Sequence, residues 1–307
     1  MNGNGSRGSL GRRILYHKEL YFMLLPVAAY FIIFKYIPMF GLLIAFQDYS
    51  VFGGIFKSEW IGLKNFIDFL TGRLALSVIR NTILINVYSL IFSFPMPILF
   101  ALLLNEVTQM KFKRTIQTIT YMPHFISMVV VVSMLSVVLS PTYGVVGNLM
   151  RKMGMEPIFF MGKAEYFRTL YIASGIWQET GWGSVIYLAA ISGIDPSLYE
   201  AAVIDGASRF KQTRHITIPC ITSTIVIMFI LRIGSMLNVG FEKIFLMQNS
   251  SNTKVSEVIS TYVYQRGITG NDFGYATAVG FFNSVISLLL VVTANVICRK
   301  LSESSLW

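Results

Sequence analysis

The residues in this chain most able to do chemistry are polar side chains set inside apolar sequence. One cluster reads Trp177-Gln178-Glu179, with Trp182 and Tyr187 further along the same stretch. Arg232, Asn238 and Glu242 stand in or beside the next apolar stretch, Asn283 in the last, and Asn86 and Tyr88 in an early one. Ionisable groups at membrane depth are costly and mark a pathway or a partner. These residues also have a purely structural reading: Arg232 and Glu179 paired across helices, with the tryptophans as interface anchors. Lys35 can snorkel to a membrane edge.

Several chemistries are excluded. Cys220 and Cys298 are far apart, and His17, His124 and His215 are scattered, so no metal-ligand spacing exists. Gly162-Lys163 lacks the upstream glycine and the Ser/Thr of a phosphate-binding loop. The net charge of +10 would suggest nucleic acid in a soluble protein. Here no basic run carries interleaved aromatics, and Lys and Arg at membrane edges account for the excess.

The elements that must position these residues are membrane helices. Only 13% of the 307 residues are charged, against about 25% in soluble domains, and the mean hydropathy is +0.62. Six apolar segments reach the roughly 20 residues a spanning helix needs: 20–46, 78–104, 116–140, 168–192, 218–241 and 276–298. The reading is an all-α membrane protein with six transmembrane helices in one domain, 20–298, between tails 1–19 and 299–307. The first segment is too long for a signal-peptide core and is read as an uncleaved span. Pro26 and Pro38 predict a kink there, and Pro95 and Pro97 a break in the second segment.

Six spans put both termini on one side. Arg7, Arg12, Arg13 and Lys18 before the first span, and the basic residues of loops 105–115 and 193–217, assign that side to the cytoplasm. The opposite loops also hold Lys57, Arg151 and Lys254, but they are longer and hold more acids, including Asp48, Glu59, Asp68, Glu156, Glu165, Glu257 and Asp272. Trp60–Leu70 has helical apolar spacing and predicts a short amphipathic helix at the membrane surface. Asn148–Phe160 and Asn249–Asn271 read as mixed loops of a length that can dock a partner.

The most informative loop is 193–219. Asp195-Pro196 is a helix start, a capping side chain followed by a first-turn proline. About two turns follow, with small residues at Ala201 and Ala202. Gly206 then permits a bend, and a second short helix through Phe210 and Arg214 leads to Pro219. Such a helix–bend–helix lets another protein approach closely, with Glu200, Arg209, Lys211 and Arg214 at its rim. An amphipathic loop resting on the bilayer fits the residues equally well.

Glu200-Ala201-Ala202, three residues, Gly206, nine residues, Ile216-Thr217-Ile218-Pro219 resembles the EAA motif of binding-protein-dependent ABC importer permeases, EAA-x3-G-x9-I-x-L-P. Ile218 stands where leucine is usual. Phe34–Met39, Ala45-Phe46, Trp60–Phe66, Asn81-Thr82, Met122–Ser127, Gly147-Asn148, Glu257–Ile259, Tyr262, Tyr264, Gly267 and Ala276–Asn295 are similar to carbohydrate-uptake permeases. Within them, they look most like the oligosaccharide and polysaccharide subfamily of Gram-positive bacteria. The resemblance implies a type I importer permease fold in a bacterial plasma membrane and a non-catalytic subunit for oligosaccharide uptake. Glu200, Ala201, Ala202, Gly206, Ile216 and Pro219 would form a cytoplasmic coupling helix docked on an ATPase. Two ATP-binding subunits would hold the ATP and Mg; this chain would hold no cofactor. A second permease, as a heterodimer or a homodimer, and an extracellular solute-binding lipoprotein would complete the assembly within membrane lipid. Trp177, Gln178, Glu179, Trp182, Tyr187, Asn238 and Glu242 are the candidates for the sugar path, because aromatic faces and hydrogen-bonding side chains hold sugars. Two rivals stand beside this reading: an ion-coupled secondary transporter, and a non-transporting scaffold subunit.

Overall fold

The computed structural model describes residues 18–237 and 240–302. The basic tail before Lys18, with His17, and the residues after Ser302 lie outside the described residues, as does Asn238. Among the described residues, four helices are long and apolar enough to cross a membrane. They are α1 (Lys18–Phe46), α3 (Ala75–Asn105), α9 (Arg209–Gly234) and α12 (Phe273–Ser302). Counting α4 (Met110–Phe125) and α5 (Met128–Val138) as one bent span makes five. Between them lie α2 (Lys64–Thr71), α6 (Val145–Lys152), α7 (Ala164–Ser192), α8 (Pro196–Ile204), α10 (Phe241–Met247) and α11 (Ile259–Tyr264).

The break expected at Pro95 and Pro97 does not form, since Ala75–Asn105 runs on as one helix. Ile37, Phe94 and Ile218 each immediately precede a proline, and each donates its N–H five residues back, to Ile32, Ser89 and Thr213. A proline ring clashes with the carbonyl four residues earlier and has no N–H of its own. One wide turn just before it makes room, and the helix continues. The fifth span is therefore displaced from 218–241 to Arg209–Gly234, since Pro219 sits inside a continuous helix rather than at its start. The third segment behaves in the opposite way: 116–140 is not one helix but two, bent by 101° around Ile126 and Ser127.

The fourth segment, α7, has 29 residues but is too polar to pass for a lipid-facing span. Its surroundings explain this. It packs against α3, α4 and α9 at the centre of the bundle, and its glycines set the spacing. A Cβ on Gly181 would lie 2.1 Å from the carbonyl oxygen of Thr120 in α4, and one on Gly183 would lie 3.0 Å from Pro97 in α3. Small residues let helix backbones approach where lipid gives no hydrophobic drive.

The loops opposite α8 are ordered by side-chain bonds to backbone. Gln47–Asp48 pairs with Glu59–Trp60 in a two-residue antiparallel ladder, so the surface helix starts at Lys64 rather than Trp60. Asn65 donates to the carbonyls of Ala45 and Gln47 at 3.0 and 3.3 Å, and Trp60 stacks on Phe46. Asn81 donates to the carbonyls of Lys254 and Glu257 and accepts from Arg168. The Thr82 hydroxyl accepts from the N–H of Ile259 at 3.0 Å. The Asn81-Thr82 and Glu257–Ile259 motifs, far apart in sequence, thus form one joint. Beneath it, Ile85, Val132, Phe167, Ile244, Met247 and Val258 form a buried apolar layer.

A candidate translocation cavity and its coupling loop

Below that layer lies a cavity of about 640 Å3. One face of α7 supplies Tyr171, Gly175, Gln178, Glu179, Gly183 and Tyr187 to its wall, a repeat of three to four residues that keeps them on one helix side. Asn86 comes from α3, Arg232 from α9 and Lys243 from α10. Of the residues singled out from the sequence, Asn86, Gln178, Glu179, Tyr187 and Arg232 lie on this wall. Trp177, Trp182 and Glu242 do not.

Several of these side chains have defined tasks. The break between α4 and α5 frees carbonyls that need donors, and Gln178 Nε2 donates to the carbonyl of Ile126 at 3.2 Å. Asn86 donates to the carbonyl of Thr82 at 2.7 Å. Glu179 Oε2 lies 2.9 Å from His124 Nδ1. A carboxylate only accepts, so the histidine donates from Nδ1. The His124 ring stacks on Trp182, with ring centres 4.9 Å apart and planes within 6°. Trp182 therefore serves as a platform behind the wall, and Trp177 is half-exposed away from it. The Arg232–Glu179 pair is not formed.

Lys243 is the residue that sequence reasoning missed. It is buried, its Nζ donates to the carbonyl of Tyr171 at 2.9 Å, and it sits 4.8 Å from the centre of that ring. Gly175 leaves it room, since a Cβ there would stand 3.4 Å from Nζ. A signal was present: Ile244 and Met247 are the buried stripe of α10, and Lys243 flanks that stripe while exposed Glu242 falls beyond it. Among the described residues, no carboxylate lies within 4.0 Å of the Arg232 or Lys243 nitrogens. The cavity thus holds two cations without ion-pair partners, and one carboxylate tied to its wall.

At the far end of α7 the coupling candidates form the expected helix–bend–helix. The Asp195 carboxylate accepts from the N–H of Ser197 at 2.9 Å, which caps α8 and holds the Asp195 carboxyl below its ordinary value. Glu200, Ala201 and Ala202 lie on α8. Gly206 has φ +71°, and its N–H bonds the Val203 carbonyl while that of Ala207 bonds Ala202 at 2.8 Å. This is the left-handed glycine stop of a helix. Ile216 and Pro219 lie two to three turns inside α9, at its wide turn, and Tyr199 OH meets Thr217 Oγ1 at 2.9 Å to tie the two arms. Arg209 is exposed and reaches across to Glu106, 3.3 Å away. The outward surface is more apolar than the sequence suggests: Val203, Ile204 and Phe210 are exposed at 64, 86 and 74%.

Residues 93–303 match the family of binding-protein-dependent transport system inner membrane components. The chain belongs to this family. The match spans α7, the cavity residues Arg232 and Lys243, and the whole loop 193–219. Among relatives, the polygalacturonan/rhamnogalacturonan transport system permease protein YteP of Bacillus subtilis (strain 168) is 46% identical over 295 residues, covering 96% of this chain and 92% of its own. Protein LplB of the same organism is 46% identical over 290 residues, covering 94% and 91%. The solved structure of a bacterial alginate ABC transporter, in complex with a periplasmic protein bound to an alginate pentasaccharide, contains a chain that superposes with a TM-score of 0.91. That chain is 40% identical, with 97% of this chain and 100% of that one covered. The present chain is accordingly a multi-pass permease subunit of an ABC importer, and its fold is that of such permeases.

Proposed function

We propose that this permease forms half of the path for an acidic oligosaccharide and that α8 transmits ATP-driven motion to that path. The observation that carries the reading is the pair of cations, Arg232 and Lys243, on one cavity with Asn86 and Gln178. Amide groups suit sugar hydroxyls, and cations without carboxylate partners suit uronate groups. The substrates named for YteP and for the alginate transporter support the same class. Since α7 runs from the cavity wall to α8 as one helix, a displacement of docked α8 is carried directly to the Gln178–Tyr187 face.

In this reading Glu200, Ala201, Ala202 and Gly206 meet an ATP-binding subunit, with exposed Val203, Ile204 and Phe210 as apolar contacts. Two such subunits hold the ATP and Mg, and this chain is not itself catalytic. A second permease completes the path, and a solute-binding lipoprotein delivers substrate at the joint made by Asn81 and Ile259. Both termini face the cytoplasm of a bacterial cell, and residues 20–298 form the one membrane domain. The test is uptake of trigalacturonate into proteoliposomes carrying the assembled importer. Uptake should require internal ATP and the ATPase subunits, and should exceed that of a neutral trisaccharide of the same size. Uptake driven by an ion gradient with this chain alone would overturn the reading.

A further inference from the structure

Glu179 presents a puzzle that rests on the acidic-saccharide reading. It lies on the wall of a cavity that also holds Arg232 and Lys243. A free carboxylate there would pair with either cation and compete with a substrate carboxylate for it. In the structure it does neither. His124 Nδ1 holds it at 2.9 Å, and the histidine is itself held. It stands at the 101° break between α4 and α5, flat on Trp182 at 4.9 Å. Phe125 packs edge-on against both rings at 5.4 Å, and Tyr121 approaches Trp182 edge-on at 6.5 Å. Five residues from two elements thus fix one hydrogen bond.

We infer that His124 is a positioning residue for substrate selection: it sequesters Glu179 on the wall, so that Arg232 and Lys243 stay open to the carboxylates of the transported saccharide. Trp182 and Phe125 act through it by locking the ring in the plane from which Nδ1 reaches Glu179. The role is one of charge accounting, which separates it from packing. Losing His124 matters only because Glu179 is then released.

The test is a double-mutant cycle in the assembled importer, reconstituted in proteoliposomes with labelled trigalacturonate as probe. H124A should raise KM by about tenfold, the scale of a hydrogen bond to a charged group, with kcat little changed. H124Q, whose amide can donate to the same oxygen, should restore most of the loss. In the E179Q background the H124A change should alter KM by less than about twofold, because no charge remains to be released. Equal losses in both backgrounds, or failure of both H124A and H124A/E179Q to assemble with the ATPase, would make His124 a packing residue and overturn the inference. So would an unchanged KM in H124A. A wild-type importer that moves a neutral trisaccharide but not trigalacturonate overturns the acidic reading first, and this inference with it. A wild type that moves trigalacturonate while the cycle shows no coupling overturns the inference alone.

Discussion

Replacing Gly206 with valine separates coupling from folding. Gly206 has φ +71°, and a Cβ there would meet nothing within 4 Å. The cost is therefore backbone strain alone, about 1–2 kcal/mol for an L-residue held in the left-handed region. A β-branched side chain sits at the upper end of that range. The strain is relieved by opening the bonds from Gly206 and Ala207 to Val203 and Ala202, at 3.0 and 2.8 Å, which turns α8 relative to α9. A penalty of about 1.4 kcal/mol leaves the loop competent roughly a tenth as often and raises its apparent dissociation constant from a docking partner about tenfold. The packing of α7 against α3 and α4 involves none of these atoms, so the melting temperature of the purified permease should hardly move. The assay is titration of the ATPase subunits onto the permease, with ATP-driven uptake measured alongside. Gly206→Asn should cost much less, because asparagine tolerates this conformation. Full ATPase affinity in G206V, or a collapse of the melting temperature matching the loss of docking, would refute the reasoning.

Three further outcomes follow from the same structure. Gly181→Ala should lower the melting temperature of the purified permease by an amount equivalent to about 1–3 kcal/mol, since its Cβ would stand 2.1 Å from the backbone of Thr120; an unchanged melting temperature would argue against so close an approach of α7 and α4. Lys243→Met should cut trigalacturonate uptake by about tenfold while leaving stability equal or higher, because a buried cation without a carboxylate partner is being removed; a loss of stability would make Lys243 a structural residue. Burial raises the Glu257 carboxyl above its ordinary value of 4.5, so the folded chain binds its proton more tightly than the unfolded chain. Stability from this group is thus present below pH 4.5 and is lost as the pH rises through the folded-state value. Glu257→Gln should accordingly raise the melting temperature at pH 7 and confer no such gain at pH 4, measured by thermal denaturation in detergent.

The limits of the sequence show in particular elements. Prolines 38, 95 and 219 mark places where a helix must adjust, but whether it breaks or inserts a wide turn depends on the neighbours that re-satisfy its carbonyls. At Ile126 the same kind of apolar run does break, because Gln178 from another helix stands ready to donate to the freed carbonyl. Of the adjacent pair Glu242 and Lys243, the sequence drew attention to the acid, and packing chose the base. Trp182 has the composition of a ligand wall yet stacks behind it on His124.

What the sequence determined by itself was the membrane class, from its deficit of charge, and the helix–bend–helix of 193–219. Its signals are local: a capping aspartate, a first-turn proline and a glycine whose positive φ follows from the absence of a Cβ. The EAA spacing added the family. What only the tertiary structure decided was which polar side chains share a cavity and which neutralise one another. That choice arises from contacts between helices distant in the chain, such as His124 with Glu179 and Lys243 with Tyr171, and no local periodicity encodes them.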